Sequence, residues 1–262
     1  MTAKERLSLH IETIFKKYMT PGLHICDIAT GGGKSYSIGK LTCEYYPKHF
    51  DRIIILCVQN KLTLGMQREI NRFVDNSGSL ILPSDVLVIE NNSEVVTKAI
   101  KNKTLKSLLD EIQRQLAVEQ NRGGSKYLKT LQQTYEHLAR INKRLDTLLQ
   151  PWIQDDAPNV PADYIQQIVE DDESKLRYYS RQFFEAYRKH LEYTKQCKKV
   201  KLETILSRFP SFKKVFPQVE YKSKKVLLMT VHKAMYGIDP IWDEKVQLSE
   251  LAEKKKNKRS FL

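Results

Sequence analysis

Apolar positions along the first half of the chain alternate between helical and strand-like spacing. Residues 5–18 place Leu7, Leu9, Ile11, Ile14, Phe15 and Tyr18 at roughly helical intervals, and Pro21-Gly22 closes that element. Leu23–Ile28 reads as a short buried strand, a glycine-rich turn follows, and Ser35–Tyr46 reads as a helix. Arg52–Val58 is a second apolar stretch, rich in β-branched residues and therefore strand-forming. Leu62–Phe73 predicts a second helix and Val86–Ile89 a third strand. Strand and helix alternating in this order predict a parallel sheet with helices on its faces.

The pattern changes after Asn91-Asn92. Leu128, Leu131, Tyr135, Leu138, Leu145 and Leu149 are three, four or seven residues apart, and residues 173–208 carry Leu176, Phe183, Tyr187, Leu191 and Ile205. These spacings predict long amphipathic helices over 125–149 and 173–208, packed on each other and separated near Pro151, Pro158 and Pro161. Lys225–Thr230 then returns to strand character. The fold class expected is α/β: a parallel-sheet domain formed by residues 1–92 and 223–262, interrupted by a large α-helical insertion at 93–222.

Composition narrows the setting. The 262 residues are 41% hydrophobic, enough for a core, and no stretch of about 18 apolar residues offers a membrane span. Met1–Arg6 lacks the apolar segment of a signal peptide, and Cys26, Cys43, Cys57 and Cys197 are too scattered for a zinc or iron–sulfur site. A cytoplasmic protein with reduced thiols is expected. With 44 Lys and Arg against 31 Asp and Glu, the net charge of +13 favours a polyanionic partner, nucleic acid first among them.

The chemistry concentrates at Ala29-Thr30-Gly31-Gly32-Gly33-Lys34-Ser35. A phosphate-binding loop joins a buried strand to a helix through a glycine turn, whose backbone N–H groups and helix dipole hold phosphates. Here Thr30, Gly31, Gly32 and Gly33 form the turn. Lys34 would reach the β- and γ-phosphates of ATP, and the Ser35 hydroxyl would sit on Mg²⁺. Ile28 stands where the full signature has its first glycine, so the loop is a variant.

These seven residues resemble motif I of superfamily 2 helicases, in the form found in restriction-enzyme-like and DEAD/DEAH-type translocases. That resemblance implies a RecA-like P-loop domain, ATP and Mg²⁺ as cofactors, and a nucleic-acid partner, DNA ahead of RNA. The strand Ile53–Val58 followed by Gln59, Asn60 and Lys61 is similar to motif Ia, which touches the nucleic-acid backbone at a strand end. Val226–Met235 resembles the strand that precedes Walker B, which implies contacts from Thr230, His232 and Lys233. The resemblance covers residues 23–92 and 223–262 and leaves out the helices between them.

The family also requires a Walker B acid pair to hold Mg²⁺ and orient water. Glu90 follows the apolar Val86–Ile89 but is a single acid; Asp243-Glu244 is a pair, but Pro240 precedes it and no apolar strand leads in. Neither fits. The expectation is an ATP-binding N-terminal part of a longer helicase, partnered by the remaining helicase domains and poor at hydrolysis alone. No adenine-recognition motif precedes the loop.

Two further features belong to the insertion. Arg177, Tyr178, Tyr179, Arg181, Phe183, Phe184, Tyr187, Arg188 and Lys189 interleave cations with aromatics. Such mixing suits base stacking with phosphate contacts, Tyr187 and Arg181 being the candidates, or else a helix with an aromatic core face and a basic outer face. The acids Asp155, Asp156 and Glu170–Glu173 read as a solvated loop and an acidic helix start rather than a metal site. Two other functions compete with the helicase reading: a P-loop kinase or signalling NTPase with the helices as lid, and a degenerate P-loop module that binds nucleic acid or a partner protein.

Overall fold

Uninterrupted apolar stretches suit strands covered on both faces. In the computed structural model, three such stretches form one parallel sheet: β1 (Ile53–Cys57), β2 (Val86–Ile89) and β3 (Val226–Thr230), in the order β1-β3-β2. The structure describes residues 5–6, 9, 11–13, 33–45, 52–76, 81–121, 126–153, 162–195, 199–241 and 246–247. The expected strand Leu23–Ile28 lies outside them.

β3 is the central strand of the three, and all five of its residues are buried. Cys57 pairs with Thr230 and Ile89 with Met229, so the carboxyl ends of all three strands share one edge. Side chains alternate across the sheet as the period of two requires. Ile53, Val226 and Leu228 join Met66, Ile70 and Leu41 on one face; Ile54, Leu227 and Met229 join Ala234, Ile238 and Val246 on the other. At the opposite edge the Arg52 guanidinium donates to the carbonyls of Lys222 and Lys224, and Lys225 pairs with Asp85 at 2.8 Å.

Helices α1 (Lys34–Tyr45) and α2 (Asn60–Asn76) complete the sheet's first face. Gly39 lets them approach: a Cβ there would lie 3.3 Å from the Glu69 backbone. Together with β1–β3 and the short helix α9 (Val231–Tyr236), they form a unit covering residues 1–90, 220–239 and 245–262.

The second unit, residues 91–219 and 240–244, is helical among its described residues. It contains α3 (Asn92–Lys101), α4 (Thr104–Asn121), α5 (Leu128–Ile153), α6 (Ala162–Thr194), α7 (Leu202–Leu206) and α8 (Phe212–Val215). The break expected at Pro151 falls later, because α5 carries that proline within its last turn. α6 begins well before residue 173, since Ile165, Ile168 and Val169 continue its apolar stripe.

The core of this unit is aromatic. Phe184 meets Phe212 at 4.2 Å and Phe209 at 5.2 Å between ring centroids, and Tyr187 meets Phe209 edge-on at 5.0 Å. Each such pair adds about 0.5–1.5 kcal/mol beyond its buried area. Buried acids find partners across the bundle. Glu111 accepts from both the backbone N–H and the hydroxyl of Ser211, and Glu119 takes Arg208 at 3.2 Å and His190 at 3.1 Å.

Candidate functional site

Parallel strands put their carboxyl ends on one edge, where open α/β sheets bind ligands. β1 delivers Val58, Gln59, Asn60 and Lys61 to that edge, and β3 delivers Val231, His232 and Lys233. These segments are far apart in sequence and become neighbours because Cys57 and Thr230 are register partners. Of the expected nucleic-acid residues, Gln59, Asn60, Lys61, Thr230, His232 and Lys233 are therefore brought together.

Local capping fixes both segments. The Gln59 carbonyl accepts from Leu62 and Thr63 N–H at 3.1 and 3.2 Å, starting α2. The Thr230 hydroxyl accepts from Lys233 N–H at 3.1 Å, which starts α9 and turns Thr230 inward. His232 points outward against Tyr236, with ring centroids 4.5 Å apart. Gln59, Lys61 and His232 are exposed, and Lys233 is half-buried. Below them, burial pushes the Cys57 thiol up, opposed by a hydrogen bond from Thr63.

The edge also exposes apolar surface that the pattern of the chain did not disclose. Val58, counted with the buried strand in the sequence, is 80% exposed, and Met235 is 73% exposed. Leu62, Val231 and Tyr236 are exposed beside them. Periodicity marks an apolar residue at a strand end as strand; only the register shows that it projects past the sheet.

Thr30, Gly31 and Gly32 lie outside the described residues. Gly33 has φ +82°, a conformation suited to glycine, and its carbonyl accepts from Ser37 N–H at 3.0 Å, so it heads α1. Lys34 is half-buried and Ser35 exposed in the first turn. A phosphate loop needs this glycine-then-helix conformation. Tyr36, however, packs edge-on against Phe73 at 4.9 Å. Phe73 lies about 20 Å along α2 from Asn60, at 1.5 Å per residue. The start of α1 is thus placed with the far end of α2, and Lys34 and Ser35 are not gathered with Gln59–Lys61. Glu90 follows β2 at the carboxyl edge, half-buried, whereas Asp243 and Glu244 lie outside the described residues.

The helical unit separates the two residues expected to bind nucleic acid there. Tyr187 is fully buried, stacked on Phe183, and its hydroxyl engages Gln115 at 3.2 Å and Arg208 at 2.6 Å. It has no open face for a base, and the stacking role expected of it is corrected to a core role. Arg181 is exposed, but its Nε donates to the Ile241 carbonyl at 2.7 Å. The acids Glu170–Glu173 lie inside α6 rather than at a helix start: Asp171 pairs with Lys175, Asp172 with Arg144 and Glu173 with Arg177. Among the described residues, no three His, Cys, Asp or Glu are grouped to hold a metal.

No family model matches the chain, and no curated protein matches its sequence. No helix among the described residues is long and apolar enough to cross a membrane.

Proposed function

We propose that the chain is the ATP-binding part of a nucleic-acid-dependent ATPase of the helicase or translocase kind, working in the cytoplasm. The observation that carries this reading is the carboxyl edge of the parallel sheet, where Gln59–Lys61 and Thr230–Lys233 meet through the β1–β3 register. A RecA-like arrangement is part of the same proposal, supported by a parallel sheet whose central strand arrives after a large helical region. In it, Gly31–Gly33 would wrap the phosphates of ATP, Lys34 would neutralise the β- and γ-phosphates, and Ser35 would hold Mg²⁺. The conformation of Gly33 at the head of α1 fits that assignment.

Lys34→Ala tests it. Lys34 is the one cation in a loop otherwise made of backbone donors, so its removal should weaken ATP binding at least about tenfold, as loss of a charge-assisted contact does. Titration calorimetry on both proteins decides the matter; equal ATP affinity overturns the nucleotide-binding half of the proposal. The placement of Tyr36 against Phe73 favours a second reading, a degenerate P-loop module that binds nucleic acid without using ATP. Under that reading Lys34→Ala leaves nucleic-acid binding intact, and the wild type shows no ATP heat.

A further inference from the structure

α5 and α6 form an antiparallel helical hairpin: Tyr127 faces Tyr193, His137 stacks on Tyr179 at 4.3 Å, Arg144 pairs with Asp172, and Trp152 meets Tyr164. This pairing divides the hairpin by charge. Residues 126–144 and 175–195, which lie beside one another, hold eleven Lys and Arg against three Glu. The intervening residues 145–174 hold eight Asp and Glu and no Lys or Arg. In sequence, the charge of the first two stretches is strongly basic and that of the stretch between them wholly acidic.

The basic half also carries the outward-facing aromatics. Phe183, Phe184 and Tyr187 turn into the core, while Tyr178 and Tyr193 are 57% and 60% exposed. They are 15 residues apart on α6, so they lie within about 60° around its axis and about 22 Å along it. Between α5 and α6 an open cleft of about 390 Å³ is lined by Gln133, His137, Arg140, Tyr179 and Gln182, among others. Gln182 donates to the Tyr178 hydroxyl at 2.7 Å. Arg140 and Lys189 are exposed and pair with Glu136 and Glu185 on their own helices. Exposed pairs of this kind contribute little, so exchanging the carboxylate for a phosphate costs little.

We infer that the basic half of the α5–α6 hairpin is a platform for single-stranded nucleic acid, with Tyr178 and Tyr193 stacking on bases and Arg140 and Lys189 taking phosphates. Alternating exposed rings and cations fit an unpaired strand, whose bases present open π-faces, better than a duplex. The acidic stretch, whose Asp171, Asp172 and Glu173 already pair with Lys175, Arg144 and Arg177, offers phosphate no cation of its own and sets the limit of the track. This inference rests on the nucleic-acid partner proposed above but places a second contact surface on a different unit.

The test is fluorescence anisotropy of the full chain with a labelled oligothymidylate about 15 nucleotides long, near the upper site size of such grooves. Tyr178→Ala combined with Tyr193→Ala should weaken binding about thirtyfold, about fivefold for each ring at the low end for base stacking, with the salt slope unchanged. The corresponding double Tyr→Phe protein keeps its rings and should bind as the wild type does. Arg140→Gln with Lys189→Gln should instead reduce the salt slope by about 0.7 per lost contact. Unchanged affinity in the Ala pair, together with weakening by Lys61→Gln and Lys233→Gln, overturns the hairpin platform and leaves the sheet edge standing. Absence of any single-strand binding by the wild type overturns both.

Discussion

The two units treat their large side chains in opposite ways. In the helical unit most large aromatic residues turn inward: Phe183, Phe184, Tyr187, Phe209, Phe212 and Phe216 are almost fully buried, while Tyr178 and Tyr193 face out. In the sheet unit, small aliphatic strands supply the core while Val58, Leu62, Met235 and Tyr236 project from the carboxyl edge. Helices 26 and 33 residues long can bury a continuous stripe along their whole length. Strands of four or five residues cover only their own width, and whatever follows them at the edge is left outside. Stability should therefore be concentrated in the inward-turned side chains of the helical unit, which leaves the margin of the sheet and the outer face of the α5–α6 hairpin for recognition.

The sharpest way to break this contrast is Tyr187→Ala. The side chain fills space between Phe183 and Phe209 and its hydroxyl satisfies Gln115 and Arg208. Its removal leaves a cavity and unpaired polar groups, so the cost should be about 3–5 kcal/mol, read by denaturant unfolding. A loss below about 1 kcal/mol would mean that the ring is not in the core in solution and would return Tyr187 to the surface.

The buried acid Glu119 comes next. It holds His190 and Arg208 at once, and the other ring nitrogen of His190, Nδ1, has no hydrogen-bond partner. Glu119→Ala should cost about 3 kcal/mol, because it leaves buried His190 without its carboxylate and Arg208 without its counter-ion, with only the Tyr187 hydroxyl still accepting from Arg208. Glu185→Ala removes an acid that is held below the usual carboxylate range by its hydrogen bond to Lys189, but in an exposed pair. Its cost should stay within about 0.5 kcal/mol. Equal effects from the two substitutions, in the same unfolding measurement, would show that burial does not rank these ion pairs.

The elements of the sheet were legible in the sequence because their cues are local. Ile53–Cys57, Val86–Ile89 and Val226–Thr230 are dense apolar stretches, and each forms a strand within a residue or so of the expected limits. Periodicity also found the stripe of α5, although the helix passes the proline expected to end it. What the sequence could not show depends on which way a side chain turns. Tyr178 and Tyr187 are nine residues apart in one aromatic and basic stretch; one is exposed and the other buried, because nine residues place them about 180° apart on a helix. The meeting of Gln59–Lys61 with Thr230–Lys233 depended on a strand register between segments separated by the whole helical unit.

The smallest expected effect probes the edge itself. Val58→Ser and Met235→Ser replace side chains that are 80% and 73% exposed. Neither removes contacts from the faces of the sheet, because Val58 follows the last paired residue of β1 and Met235 lies on the outer side of α9. Substitutions at such positions usually change stability by no more than about 0.5 kcal/mol. The same pair should nonetheless alter binding to single-stranded nucleic acid if the edge is a contact surface, since Val58 precedes Gln59 and Met235 lies a half-turn beyond Lys233. Loss of more than about 1 kcal/mol in unfolding would show that the edge is covered in solution, and the contrast between an inward helical unit and an outward sheet margin would fail. Unchanged stability with weakened binding would instead assign the exposed apolar residues to recognition, for which their position beside Lys61 and His232 suits them.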